Sequence, residues 1–415
     1  MKQPETLPRS RSVFLLLSLD GRLLFVTCAV RNFAYGFLSI VLGLYLAALG
    51  LDSTAIGTVF TAALIGGALM TIILTGVADR WGRRRLLVVG SVLMALAGVV
   101  FAITDQLGWL LLAAIVGTIS PSGKDVGPFL AIEQAVLPGT VDARHRTDLF
   151  AAYNLVASLA TALGALAVGV PALLGLPPLV GYQLLIWGYA GTALVLAGLF
   201  ARLSPAAEAP LRRRDEVRRP GVRRSRGMVA KLGILFGVDA FAGGFIVQGL
   251  MAYWLSLRFD ADTGALAGIF FGINLCAALS FLAAAPLARR IGLLNTMVFT
   301  HLPSNLMLLA VPLMPTLELA VGLLLARHLL SQMDVPTRQS YTMAIIDPEE
   351  RASAAGILSV ARSAAAGIAP AFAGATLAVP ALGLPFLVAG GLKVIYDLSI
   401  YATFRGVKPP EEGGR

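Results

Sequence analysis

Long apolar runs, broken at intervals by short clusters of glycine, proline, polar or basic residues, dominate the 415-residue chain. A helix rises about 1.5 Å per residue, so roughly 20 apolar residues cross a hydrocarbon layer about 30 Å thick, and about twelve runs reach that length. The expected spans are 23–49, 54–77, 86–104, 108–137, 148–173 and 179–202, then 229–257, 263–288, 293–313, 316–346, 352–377 and 381–404. Proline 121 and the Gly127-Pro128 pair are expected to bend the fourth span and free backbone carbonyls there.

The pattern also repeats. Arg31-Asn32-Phe33-Ala34-Tyr35-Gly36-Phe37 returns 208 positions later as Asp239-Ala240-Phe241-Ala242-Gly243-Gly244-Phe245; Tyr45 returns as Tyr253, Asp52 as Asp260, and Asp125-Val126 as Asp334-Val335. The chain thus reads as an all-α membrane protein of twelve transmembrane helices in two pseudo-symmetric six-helix bundles, residues 1–202 and 229–415, joined by an Arg-rich linker over 203–228. In such duplicated membrane proteins a solute binds between the halves.

Composition agrees: 57% of residues are hydrophobic, 13% are charged, and mean hydropathy is +0.80. The net charge of +10 does not point to nucleic acid, because its arginines sit in short loops on one side. Arg80, Arg83, Arg84, Arg85, Arg144, Arg146, Arg289, Arg290 and eight arginines between Arg212 and Arg226 lie in even-numbered connections; Arg258 is the exception. The positive-inside rule then expects both termini and the linker in the cytoplasm and the protein in the plasma (inner) membrane. Cys28 and Cys276 both fall inside spans and are expected to pack rather than to pair. No nucleotide-binding glycine loop, zinc spacing or nucleophile elbow occurs, so an enzyme is not expected, nor any cofactor.

Between spans two and three lies Gly76-Val77-Ala78-Asp79-Arg80-Trp81-Gly82-Arg83-Arg84-Arg85. This resembles the G-x-L-A-D-R-x-G-R-R loop of the major facilitator superfamily (MFS), one residue shorter between Gly76 and Asp79. The resemblance implies a cytoplasmic gate in which Asp79 meets the start of helix eleven, near Glu350-Arg351-Ala352, when that side is closed; a turn that only sets topology is the alternative. The second half keeps a relic, Pro286-Leu287-Ala288-Arg289-Arg290-Ile291-Gly292, with arginine in the acidic place. Gly367-Ile368-Ala369-Pro370-Ala371-Phe372-Ala373-Gly374 in span eleven resembles a glycine–proline element that family antiporters usually carry on helix five; close helix packing is the alternative.

Ionisable side chains inside a membrane are costly and mark pathways or pairs. They concentrate in spans one, four, seven and ten, which the resemblance makes cavity-lining: Arg31 and Tyr35; Lys124, Asp125 and Glu133; Asp239 and Gln248; Arg327, Asp334, Arg338 and Tyr341. On a continuous helix Arg327, Asp334 and Arg338 would share one face, joined by Ser331 and Tyr341, leaving Asp334 either a paired gate or a proton carrier. Glu133 has no basic residue on its own face and is the first expectation for a titrating group, with pairing to Arg31 or Arg338 as the competitor. Arg31 and Asp239, at equivalent positions, are expected to meet near the axis in one state or permanently. Tyr45 shares the Arg31 face and Tyr253 follows Asp239; both offer aromatic surface to a solute or an interfacial anchor. His301 is expected as a hydrogen-bonded kink, His328 as a pH-responsive group, and Asn154, Asn274, Arg362, Lys393 and Asp397 as bundle contacts or helix ends.

The expected function is secondary active transport of a small polar or zwitterionic organic solute by alternating access, driven by protons, with export by antiport favoured over uptake or uniport. A non-transporting receptor or a lipid translocator of the same fold is the competing class. The expected partners are the solute and membrane lipid, with no nucleic acid, and the expected state is a monomer.

Overall fold

The computed structural model describes residues 17–124, 127–140, 146–208, 222–377 and 379–407, and all regular structure among them is helical. The helices are α1 (Leu19–Ala48), α2 (Ser53–Trp81), α3 (Arg83–Ile103), α4a (Leu107–Val116), α4b (Pro128–Val136), α5 (Arg146–Ala167) and α6 (Pro178–Phe200). The second half follows with α7a (Arg226–Phe245), α7b (Gln248–Phe259), α8 (Thr263–Ile291), α9 (Leu293–Ala310), α10a (Leu317–Ser331), α10b (Asp334–Ile345), α11 (Arg351–Thr376) and α12 (Leu384–Phe404). Ten helical stretches are long and apolar enough to cross a membrane; the expected spans 108–137 and 316–346 are occupied instead by the broken pairs α4a/α4b and α10a/α10b. Large apolar side chains stand exposed around the outside, Ile234 at 70% and Leu282 at 64% among them. In water they would be an aggregation surface; in lipid they are the ordinary exterior.

The repeat is visible in the packing. Asp52 caps α2 through Ala55 N–H, and Asp262 caps α8 through Ala265 N–H, each at 2.7 Å. Gly82 and Gly292, with φ of +90° and +88°, make the same turn ahead of α3 and α9. Gly36 lets α1 approach α5, where an added Cβ would come within 2.3 Å of the Thr161 carbonyl; its counterpart Gly244 lets α7a approach α11, 2.5 Å from the Ala366 carbonyl. Each half therefore builds its bundle with the same device, small residues at the crossings.

Three helices break where the sequence suggested only one break. Residues 117–127 leave α4a with Gly123 and Gly127 at positive φ, as the Gly127-Pro128 pair implied. The seventh span also breaks, at Ile246-Val247, and the tenth at Gln332-Met333. Backbone groups freed inside a membrane need partners. One such partner crosses between bundles: Gly249 N–H, in the first turn of α7b, donates to the Pro121 carbonyl at 3.0 Å.

The bundles meet along one half of their length. Helix α2 packs on α11 through Gly57, Thr61 and Ile65 against Gly374, Ala371 and Gly367, with Thr61 Oγ1 accepting from Ala371 N–H at 2.9 Å. Helix α1 meets α7b at Gly43 and Gly249, and Gly169, just past the end of α5, meets Gly264 of α8. Ser53 and Thr376, at the ends of α2 and α11, place this contact on the face opposite the Arg80–Arg85 loop. Toward the basic face the same helix surfaces separate: Leu69 and Ile72 on α2 are 49% and 55% exposed, Val360 on α11 is 54% exposed, and Gly76 and Gly356 have nothing within 4 Å. The molecule is sealed on the far face and open on the basic one.

That seal leaves no room for side chains. A Cβ on Gly57 would stand 2.3 Å from the Pro370 carbonyl. Gly57→Val should therefore prop the far face apart, lengthening the distance between spin labels at residues 50 and 379 in electron–electron resonance. Gly356→Ala, facing open space, should leave that distance unchanged.

Candidate functional site

Charges gather around the breaks in α4, α7 and α10; the first two are tied by Gly249 N–H at the Pro121 carbonyl, and the third is tied to α8 by Gln332 N–H at Ser280 Oγ, 3.2 Å away. In the first bundle Arg31 and Glu133 form a two-toothed pair: Nη1 donates to Oε1 at 2.8 Å and Nη2 to Oε2 at 2.7 Å. Thr27 Oγ1 donates to Oε1 at 3.1 Å, the Tyr153 hydroxyl donates to Oε2 by a short bond, and the Phe129 ring lies 5.1 Å from the guanidinium. Arg31 and Glu133 are both fully buried. Glu133, expected first as a free titrating group, is thus held by the competitor that its own helix could not show: Arg31, from α1.

The second bundle is built around Asp239. Lys393 Nζ lies 2.5 Å from Oδ1, while Arg338 Nη1 and Arg362 Nη1 reach Oδ2 at 3.0 and 3.3 Å. Arg31 and Asp239 are therefore answered inside their own bundles, not by each other, in this conformation. Arg338 is shared, its Nη1 also 2.9 Å from Asp334 Oδ2. Behind this cluster Asp397 takes His301 Nδ1 and Asn305 Nδ2, both at 2.8 Å, so His301 joins α9 to α12 by an acid–imidazole contact rather than serving as a simple kink.

The tenth span corrects a second expectation. The helix is interrupted at Gln332-Met333, and Arg327, though within electrostatic reach of Asp239 and Asp334, forms no ion pair within 4.0 Å with either. Its Nη1 lies 3.2 Å from His328 Nε2 instead. Tyr341 is also displaced from the site: its hydroxyl donates to the Val407 carbonyl at 2.9 Å near the basic face, inside a separate apolar cluster. Tyr35 stacks toward Tyr189 and Tyr45 donates to the Phe101 carbonyl, so both are buried within the first bundle, and Tyr253 packs against Gly43. None of these four aromatic residues lines the opening.

What does line it includes Lys124, exposed at mid-depth in the broken fourth span and within electrostatic reach of Asp334, Arg338, Arg362 and Lys393 across the gap. Asp125 lies outside the described residues. Above Lys124 the far side is closed by a polar chain spanning both bundles, Gln248 Nε2 donating to Ser39 Oγ at 2.9 Å and Asn274 Nδ2 to Gln248 Oε1 at 3.5 Å. Around these breaks the described cations are Arg31, Lys124, Arg327, Arg338, Arg362 and Lys393, and the described carboxylates are Glu133, Asp239, Asp334 and Asp397. Among these described groups cations outnumber carboxylates by two, before Asp125, next to Lys124 in the chain, is counted.

At the basic face the side chain of Asp79 lies outside the described residues, while Arg80, Arg84 and Arg85 are exposed and Arg83 Nη1 donates to the Ala135 carbonyl at 3.3 Å. Two carboxylates not anticipated from the motif organise this surface. Glu208 caps α3, accepting Arg83 N–H at 2.6 Å and Arg84 N–H at 3.2 Å. Glu350, at the start of α11, takes the N–H groups of Arg223, Arg224 and Ser225 at 2.7, 2.7 and 2.8 Å, and Arg224 also reaches Asp347 at 3.3 Å. Helix α7a thus begins at Arg226, inside the expected linker, because Glu350 orders the residues before it. Cys28 is buried, its Sγ accepting from Asn32 Nδ2 at 3.5 Å, and Cys276 is half-buried.

Two six-span bundles with a charged, one-side-open space between them define a secondary transporter fold. The model of the Major Facilitator Superfamily matches residues 24–331, and the chain belongs to that family. It is 29% identical to the membrane protein YJR124C of Saccharomyces cerevisiae, over 95% of this chain and 96% of that one. Solved structures with the same fold include a point variant of the nucleoside transporter NupG (TM-score 0.76, 14% identity, 93% of this chain and 100% of that one). A bacterial homologue of the human lysosomal transporter Spinster, inward-facing and occupied, gives 0.72 at 14% identity over 95% and 97%. The xylose transporter XylE of E. coli, partially occluded and inward open, gives 0.70 at 14% over 95% and 99%. At these identities the likeness is one of fold.

Breaking a buried pair by removing one partner costs about 3–5 kcal/mol, since the other charge is stranded. Glu133→Gln and Arg31→Met should each lower the thermal midpoint strongly, and the double variant should lose less than the sum. Near the surface, burial raises the Glu350 carboxyl but three backbone amides outweigh it, leaving a pKa of about 2. A pKa depressed by folding adds stability above the unfolded value, near 4.3, and loses it as pH falls toward the folded value. The difference in melting temperature between wild type and Glu350→Gln should accordingly be flat from pH 5 to 8 and shrink below about pH 4.3.

Proposed function

We propose that this chain, a multi-pass membrane transporter of the MFS type for a small solute, works by proton-coupled alternating access, with the basic face and both termini cytoplasmic in the plasma (inner) membrane. The observation that carries this reading is the set of charged and polar side chains from both bundles, Lys124, Gln248 and Asp334 among them, gathered beside broken helices in a space open toward the basic face. Unwound backbone at mid-membrane is tolerated where it lines a cavity, and discontinuous helices mark solute sites in transporters.

Among the carboxylates, Asp334 is best placed to exchange a proton. Glu133 has four donor contacts and Asp239 three cations, whereas Asp334 has one ion-pair partner, Arg338, which it shares with Asp239. When Arg338 leans to Asp239, Asp334 keeps only the longer-range pull of Lys124, Arg327 and Arg362. The glycine–proline element of α11, which favoured export, packs the far-face seal, a task needed in either direction. Antiport or symport therefore turns on the charge of the solute.

The test is transport into proteoliposomes of the purified protein with an internal pH dye. Asp334→Asn should retain solute exchange at equal pH while losing accumulation driven by a proton gradient. Gradient-driven accumulation at the wild-type rate in that variant would remove Asp334 from the coupling.

A further inference from the structure

Among the described residues, four of the six central cations have carboxylate partners within 4.0 Å and two do not. Arg31 is matched by Glu133, and Arg338, Arg362 and Lys393 by Asp239. Among the described residues no carboxylate lies within 4.0 Å of Arg327 or Lys124. The two unmatched cations have different surroundings, and each suits a different part of one task.

Arg327 is 5% exposed, and its Nε is buried without a hydrogen-bond partner. What holds it is His328. The Leu324 carbonyl, 2.7 Å from His328 Nδ1, can only accept, so Nδ1 carries the proton. His328 Nε2 lies 3.2 Å from Arg327 Nη1, and a second donor there would face a guanidinium N–H, so Nε2 is the acceptor. A neutral imidazole thus orients the guanidinium through one N–H and cancels none of its charge. Lys124 is the opposite case, an ammonium on a flexible stem, exposed on the broken fourth span. It acts electrostatically on the same His328 from the other bundle. Gly123 brings this loop close under the Ser39–Gln248 hydrogen bond, where a Cβ would stand 3.0 Å from Ser39 Oγ and 3.2 Å from Gln248 Oε1.

We infer that the solute is a small organic anion, its carboxylate or phosphate held between Arg327 of the second bundle and Lys124 of the first. This deepens the transport reading above and rests on it. The planar fork of Arg327 supplies directed N–H donors, and Lys124 supplies a movable point charge that can follow the anion as the bundles rock. An anion bound to both halves at once gives a difference in free energy between open and closed states, without which a ligand cannot shift them. Protonation of Asp334 adds to the positive charge facing the anion, so proton and solute bind together, and the coupling is symport.

The experiment uses the full chain in nanodiscs and measures thermal shift and apparent Kd with a matched panel. The panel holds small monocarboxylates, dicarboxylates and phosphate esters, their neutral amides and alcohols, and amines of the same skeletons; anions that bind are then followed in proteoliposome counterflow. The expected result is stabilisation by anions alone, carboxylates and phosphate esters being separated by their own arms. Lys124→Gln should raise the apparent Kd about tenfold to a hundredfold, the loss expected for one charge-assisted bond, and Lys124→Arg should restore most of it. Arg327→Gln should do the same; because Arg327 is buried and that variant can misfold, exposed Lys124 carries the decision. Equal or tighter binding of neutral or cationic members, or an unchanged Kd in Lys124→Gln, overturns the anion site and leaves transport standing. Anion binding without counterflow keeps the site and overturns transport, and no binding by any class overturns both.

Discussion

Charge compensation inside a layer that cannot hydrate it is the constraint on which this structure turns. The two bundles meet it differently. The first neutralises itself with one pair, Arg31 and Glu133, closed off by Thr27, Tyr153 and the Phe129 ring. The second gathers Lys393, Arg338 and Arg362 around Asp239, and Arg338 reaches Asp334 as well. A neutral core gives a rigid half. A crowded cationic cluster with shared partners can rearrange, because moving one guanidinium changes the field at two carboxylates.

The backbone obeys the same constraint. Each helix break frees amide and carbonyl groups that lipid cannot satisfy, so breaks are confined to the protein interior. Here one freed group finds its partner in the other bundle, Gly249 N–H at Pro121 O, beside the Ser39–Gln248 bond. These polar ties and the glycine contacts of α2 with α11 close one face. Both kinds of contact must part for that face to open, and polar ties of this sort are cheap to exchange for water once the gap admits it. The duplicated halves therefore share their packing devices but not their charges.

Much of this was legible in the order of residues. Hydrophobic run length gave the spans because the thickness of lipid is a fixed ruler, and the 208-residue echo gave two bundles because Gly36 and Gly244 must make equivalent crossings. Gly127-Pro128 announced the break in the fourth span, since that pair cannot continue a helix. The breaks at Ile246-Val247 and Gln332-Met333 have subtler signals, Gly243-Gly244 and Gly249 flanking the first and Pro336, which has no N–H for the Gln332 carbonyl, following the second; the freed Gly249 and Gln332 N–H groups are met by Pro121 O and Ser280 Oγ. Arg338 pairs with Asp334 as their spacing implied, whereas Arg327 reaches no carboxylate within 4.0 Å among the described residues.

What the sequence determined by itself, then, is the class of solvent, the number of crossings within which the chain folds, its internal repeat and the residue types available for chemistry, all of which follow from local period and composition. Which charge answers which was decided only by the tertiary structure. Glu133 found Arg31 on a helix 102 positions away, and Asp239 found Lys393 at a separation of 154, because pairing in a membrane depends on which helix faces touch. The same packing left Arg327 and Lys124 without carboxylates among the described residues, a property of neither residue's neighbours in the chain but of the space between two bundles.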